Sequence, residues 1–129
     1  MSPSNPVEPG FGQIVRDRRT QKGLTLRKFA QMIGLSPSYI SLMERGEENP
    51  PGEANIRQIA LVLDLNEDFL LAEAGKVSSD LKNLIMERPS IMAEFLRTTK
   101  GRSDEELLRF TKDLKSKLSQ SPKPEEPHP

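Results

Sequence analysis

A chain of 129 residues has room for one compact domain and an appendage, but not for two full domains. With 34% apolar residues, five Phe, one Tyr and no Trp, its core must come from Leu, Ile, Val, Met and Ala, which suits packed helices better than a sheet. The formal net charge is zero, no Cys is present for a disulfide or thiolate site, and the only His, His128, lies in a Pro-rich tail, so no metal, cofactor or imidazole-based catalysis is expected.

Taken in chain order, residues 1–10 carry Pro3, Pro6 and Pro9 with few apolar side chains and read as a disordered tail. Apolar residues then recur at spacings of three and four, the helical period, so the fold class is all-α. A first helix is expected over residues 11–22, with Phe11, Ile14 and Val15 on an inner stripe that extends to Arg18, and with Gly23 as its left-handed stop. Thr25 is placed to cap a second helix over 26–33, inward-facing at Leu26, Phe29, Ala30 and Ile33, and Gly34 ends it. Ser36 caps a third with Pro37 at its first position, where a missing N–H does no harm, and Gly46 closes it. After the loop Asn49-Pro50-Pro51-Gly52, a fourth helix over about 54–63 presents Ile56, Ile59, Ala60 and Leu63. A fifth over 66–74 presents Phe69, Leu70 and Ala74, and Gly75 marks the end of a compact unit spanning 11–75.

A smaller helical segment is expected over 76–119. Residues 80–88 read as a short helix stopped by Pro89, and residues 91–98 as another, stopped near Gly101. Ser103 followed three residues later by Glu106 is a capping box, and it opens a last helix with a narrow stripe of Leu107, Phe110, Leu114 and Leu118. Such a stripe can seal an intramolecular pair or a dimer. Residues 120–129, with Pro122, Pro124, Pro127 and Pro129, read as a second disordered tail.

No apolar stretch approaches the roughly 18 residues that span a bilayer, and the first ten residues lack the order of a signal peptide, so a soluble, cytoplasmic protein is expected. Zero net charge speaks at first against a nucleic-acid partner, but the charge is segregated. Residues 11–46 hold Arg16, Arg18, Arg19, Lys22, Arg27, Lys28 and Arg45 against Asp17 and Glu44, a surplus of five. Residues 47–75 hold Arg57 against seven acids, Glu47, Glu48, Glu53, Asp64, Glu67, Asp68 and Glu73. One face can therefore be basic on a neutral molecule.

The segment LRKFAQMIGLSPSYISLMER, residues 26–45, meets the spacing rules of a helix-turn-helix. Ala30 is the small residue that lets the second helix cross the first closely, Gly34 takes the positive φ of the turn four positions later, and Ile40 anchors the second helix six positions further on, with Met43 one turn beyond. A helical hairpin with no nucleic-acid role has the same spacing, so the motif alone leaves both readings open.

The longer run GQIVRDRRTQKGLTLRKFAQMIGLSPSYISLMERGEENPP resembles the N-terminal domain of Cro/CI-type (XRE-like) helix-turn-helix repressors. The resemblance implies a five-helix lambda-repressor-like DNA-binding domain over 11–75, with a recognition helix over 37–45 in the major groove of double-stranded DNA. Carried across by position, the base-contacting residues are Ser36, Pro37, Ser38, Ser41 and Leu42, and the phosphate-contacting residues are Thr25, Arg27, Tyr39 and Arg45. The family also pairs Arg19 with Glu44 as a structural ion pair between the first and third helices. Two positions depart from the family pattern. Leu42 stands where a polar or charged side chain is more frequent, which favours A·T-rich or shape-dependent sites, and Glu47 and Glu48 occupy a loop that is often basic, so no minor-groove contact is expected there.

The function implied is that of a transcription regulator, a repressor, binding a palindromic operator as a homodimer. Dimer contacts are expected from Phe69 and Leu70 or from the stripe of Leu107, Phe110, Leu114 and Leu118. A weaker resemblance of residues 75–110 to peptidase-inactivated repressors implies a companion peptidase. Two other readings keep the fold: a DNA-binding antitoxin whose C-terminal helices mask a toxin, and an adaptor that binds protein instead of DNA. An enzyme is not expected, because there is no Cys, no usable His, no Gly-rich phosphate loop and no clustered carboxylates.

Overall fold

The computed structural model describes residues 10–120, in which every regular element is an α-helix. The elements are α1 (Phe11–Gln21), α2 (Leu26–Ile33), α3 (Pro37–Glu44), α4 (Glu53–Leu63), α5 (Glu67–Glu73), α6 (Ser79–Glu87), α7 (Pro89–Thr98) and α8 (Asp104–Gln120). Residues 1–9 and 121–129, and with them His128 and nearly all of both Pro-rich tails, lie outside the described residues. The described residues divide into two compact units, the first ending at Asn83 and the second beginning at Leu84.

In the first unit the helix ends are set by side chains that satisfy orphan N–H groups. Thr25, Ser36 and Asn66 accept from the N–H groups of Lys28, Tyr39 and Phe69, at 3.0, 3.1 and 2.9 Å. Pro37 occupies the first turn of α3, where no N–H is needed. Asp64, at the end of α4, is the non-glycine residue with positive φ, 55°, among the described residues. Its carboxylate accepts from Lys22 Nζ at 2.7 Å, and that contact and the lysine charge hold its pKa below the ordinary aspartate range.

The core is one cluster drawn from α1 to α5. Phe11 and Val15 come from α1, Phe29, Ala30 and Ile33 from α2, and Ile40 and Met43 from α3. Helix α4 adds Ile56, Ile59, Ala60 and Leu63, and α5 adds Leu70 and Leu71. Two expectations for α5 are corrected here. Phe69 is 47% exposed, and the inward partner of Leu70 is Leu71. Leu70 itself is fully buried, so it has no surface to offer a second subunit, and its assignment as a dimer contact falls.

Three of the basic side chains counted in residues 11–46 work inside the unit. Arg18 Nη1 donates to the carbonyls of Leu63 and Asp64, both at 3.0 Å, at the negative end of the α4 dipole. Lys22 holds Asp64, and Arg19 holds Glu44. The basic surplus of the sequence is therefore partly internal structure.

The compact unit extends past Gly75, where the sequence pattern places its end. Arg57 Nη2 donates to Ser78 Oγ at 2.7 Å and pairs with Glu53 at 2.6 Å, while Ser78 Oγ donates to the Asp80 carboxylate. Ser79 donates to Glu53 Oε2 through both its N–H, at 3.2 Å, and its hydroxyl, at 3.0 Å. These bonds fasten the first turn of α6 onto α4, and Ser78 is buried.

In the second unit, α7 begins at Pro89 itself, two residues ahead of the expected start, because proline at the first position both ends α6 and opens α7. Gly101, φ 81°, makes the turn into α8. There Ser103 Oγ accepts from the Glu106 N–H at 3.1 Å and Glu106 Oε1 accepts from the Ser103 N–H at 3.3 Å, the reciprocal capping box. Neither α7 nor α8 contains a buried residue. Leu107 is half-buried, and Phe110, Leu114 and Leu118 are exposed.

Candidate nucleic-acid interface

The helix-turn-helix is built from α2 and α3. Ala30 is 1% exposed beneath the crossing. Gly34, φ 72° and ψ 28°, ends α2 in the left-handed conformation, and the Leu35 N–H reaches back to the Ala30 carbonyl at 3.1 Å. The chain then turns straight into Ser36, the cap of α3. One face of α3 is pinned by Ile40 and Met43, which are 0% and 1% exposed.

Two further contacts fix α3 against α1. Arg19 and Glu44 form a bidentate pair, Nε to Oε2 at 2.7 Å and Nη2 to Oε1 at 3.0 Å, while Arg19 Nη1 donates to the Leu24 carbonyl at 2.8 Å. Both side chains are largely buried, so the pair is shielded from salt and its geometry is specific. The second contact is one that the sequence pattern does not show. A Cβ on Gly12 would lie 2.2 Å from the Met43 carbonyl oxygen and 2.9 Å from that of Glu44, so α1 meets the end of α3 at a distance only glycine allows.

The residues assigned to base contact divide by exposure. Ser36, Pro37 and Ser38 are exposed, and Ser41 and Leu42 are half-buried on the flank of α3. The Ser36 hydroxyl is engaged as the helix cap, whereas the hydroxyls of Ser38 and Ser41 have no hydrogen-bond partner among the described residues. A row with free hydroxyls at Ser38 and Ser41 and the apolar Leu42 beside them can present donors, acceptors and a methyl contact to base edges.

The residues assigned to phosphate contact are in different states. Arg27 is exposed at the start of α2, without a hydrogen-bond or ion-pair partner among the described residues, and so is its neighbour Lys28 apart from its cap N–H. Thr25 is exposed, its hydroxyl oxygen engaged as the cap of α2. The Tyr39 hydroxyl donates to the Asn49 carbonyl at 2.5 Å, and partial burial together with the nearby Glu48 charge raises its pKa. Arg45 lies back on α3, Nε to the Ser41 carbonyl at 3.2 Å, with Nη1 3.3 Å from Glu47 Oε2.

Among the described residues, no group of three or more His, Cys, Asp or Glu is placed to hold a metal ion, and no helix is long and apolar enough to cross a membrane.

Residues 15–70 match the helix-turn-helix family HTH_3. Over 69 residues the chain is 35% identical to the HTH-type transcriptional regulator RghRB of Bacillus subtilis (strain 168), a match that covers 54% of this chain and 50% of that protein. It thus spans half the length of that relative. Over 81 residues it is 30% identical to the HTH-type transcriptional regulator SinR of Bacillus licheniformis, covering 58% of this chain and 73% of SinR. The structure of the N-terminal DNA binding domain of SinR from Bacillus subtilis aligns with a TM-score of 0.44 at 31% identity, over 47% of this chain and 88% of that one. Both relatives are named as transcriptional regulators. With a relative matched along nearly three quarters of its length, and with the turn, caps and buried anchors of the motif in place, the chain belongs to the XRE-like family of helix-turn-helix regulators.

Proposed function

We propose that the chain is a sequence-specific DNA-binding repressor that sets α3 into the major groove of a palindromic operator as a homodimer. The observation that carries this reading is the state of α3. Its inner face is immobilised by Ile40, Met43 and the Arg19–Glu44 pair, while Ser36, Pro37 and Ser38 project from its first turn with nothing of the same unit over them. A helix held that rigidly and left open at its N-terminal end has the shape that enters a B-form groove. The naming of its relatives as transcriptional regulators, and of one as a repressor, supports the same reading.

In this reading Ser38, Ser41 and Leu42 face base edges, Ser36 and Pro37 line the entry, and Thr25, Arg27, Tyr39 and Arg45 set the register on the backbone. The domain comprises residues 11–75 together with the α6 turn fastened to it, and the segment beyond supplies the dimer contact through Leu107, Phe110, Leu114 and Leu118. Phe69, half-exposed on α5, is the remaining candidate of the first unit. A cytoplasmic location goes with the same role.

The test is selection of bound fragments from host genomic DNA, followed by titration of the best fragment against salt. A dimer neutralising phosphates gives a log-log slope of roughly −4 to −8, near −0.9 for each phosphate. An adaptor that keeps the fold shows a slope near zero and selects no common sequence, and that result refutes the regulator.

A further inference from the structure

We infer that Glu47 and Glu48 act as a brake on DNA affinity, Glu47 competing with the phosphate backbone for Arg45 and Glu48 adding negative charge next to it in the same loop. The inference rests on the DNA-binding reading above and adds to it two residues that limit the same site. The loop carrying them is not loose. Gly46, φ 76°, turns the chain back so that the Glu47 N–H donates to the Leu42 carbonyl at 2.8 Å, and the Tyr39 hydroxyl ties Asn49 to α3 from the other side. Glu48 is drawn in as well, its Oε1 accepting from the Asn49 N–H at 3.2 Å. The backbone therefore holds both residues beside the end of the recognition helix, with the Glu48 carboxylate on the Asn49 N–H and the Glu47 carboxylate against Arg45.

Their position has an electrostatic consequence. Arg45 Nη1 lies 3.3 Å from Glu47 Oε2, and both side chains are about half exposed. An exposed pair of this kind contributes little to folding, so stability gives no account of why a carboxylate is fixed there. Toward a duplex the same pair matters more. Arg45 can reach a phosphate only by sharing or leaving Glu47, and each carboxylate is itself repelled by the backbone. Since phosphate neutralisation supplies essentially all non-sequence-specific affinity, the brake lowers binding to every duplex and shifts operator binding to lower salt.

The experiment compares the full chain with the E47Q/E48Q variant on a scrambled duplex and on the best genomic fragment, across a salt series. The variant is expected to bind both about tenfold more tightly, with a slope steeper by about one, and with an unchanged thermal midpoint because both side chains are exposed. Adding Arg45→Ala should abolish most of that gain. The isocharge control E67Q/D68N, at the start of α5, should stay within about twofold of the parent. If the control gains as much as E47Q/E48Q, net charge alone is responsible and the brake is overturned. It is equally overturned if the parent binds and E47Q/E48Q binds no better. A parent chain that binds no duplex at low salt brings down the regulator reading and the brake together, an outcome distinct from either.

Discussion

Gly12 shows how much of this site rests on single atoms. In a sequence, a glycine at the second position of a helix signals only a weak helix former, and no spacing rule connects it to residues 43 and 44. The structure gives it a reason, since any Cβ there would press on two backbone carbonyls that cannot turn aside. Gly12→Ala gains helix propensity yet should destabilise the unit by about 1 to 3 kcal/mol in urea denaturation, because the clash outweighs the propensity. An unchanged or higher midpoint would show that α1 does not sit against the end of α3. Ser38 makes the complementary case, a side chain with no structural task. Ser38→Ala should leave the midpoint unchanged while relaxing preference at one operator base pair by about 1 to 3 kcal/mol, read from single-substitution binding series. Equal loss on scrambled DNA would remove Ser38 from base readout.

At the scale of elements, legibility followed helix length and cap chemistry. Helices α2 and α3 could be read nearly to the residue because Thr25, Gly34, Ser36 and Pro37 each have one physical use at a helix end. Helix α5 was bounded to within one residue at each end, but its inward face could not be read, because seven residues make barely two turns and the triplet Phe69-Leu70-Leu71 fits two inward faces equally well. Size favours Phe69, but the structure buries Leu70 and Leu71. Charge was the other illegible quantity. The family resemblance already paired Arg19 with Glu44 and the periodicity turned Arg18 inward, but a count carries no information on partners, and neither the carbonyls that Arg18 reaches nor the Asp64 carboxylate that Lys22 reaches left a trace in it. A paired substitution checks the face of α5. Leu71→Ala should cost about 2 to 5 kcal/mol and Phe69→Ser less than about 1 kcal/mol, both by chemical denaturation. The reverse order would restore the face that the sequence suggests.

For the whole molecule the decisive contrast lies between the two units, one with every core residue and one in which α7 and α8 bury none. The sequence shows the loosened pattern after Gly75 but not where the first unit ends, because the fastening there is polar. Glu53, Arg57, Ser78, Ser79 and Asp80 leave no periodic trace. A fragment ending at Asn83 should therefore unfold cooperatively at a higher denaturant midpoint than one ending at Gly75, which leaves Arg57 without Ser78 and Asp80. Acid should erase that difference. Hydrogen bonds from Ser79 lower the Glu53 pKa, and the bond from Ser78 lowers that of Asp80. A carboxylate with a lowered folded-state pKa adds stability above its unfolded value and loses it as pH falls through the folded one. The two midpoints should accordingly stand apart at neutral pH and converge as pH drops below the ordinary carboxylate range near 4. A gap that persists in acid would mean that the carboxylates do not hold the start of α6 to α4, and that the bond from Arg57 to the Ser78 hydroxyl carries the fastening instead.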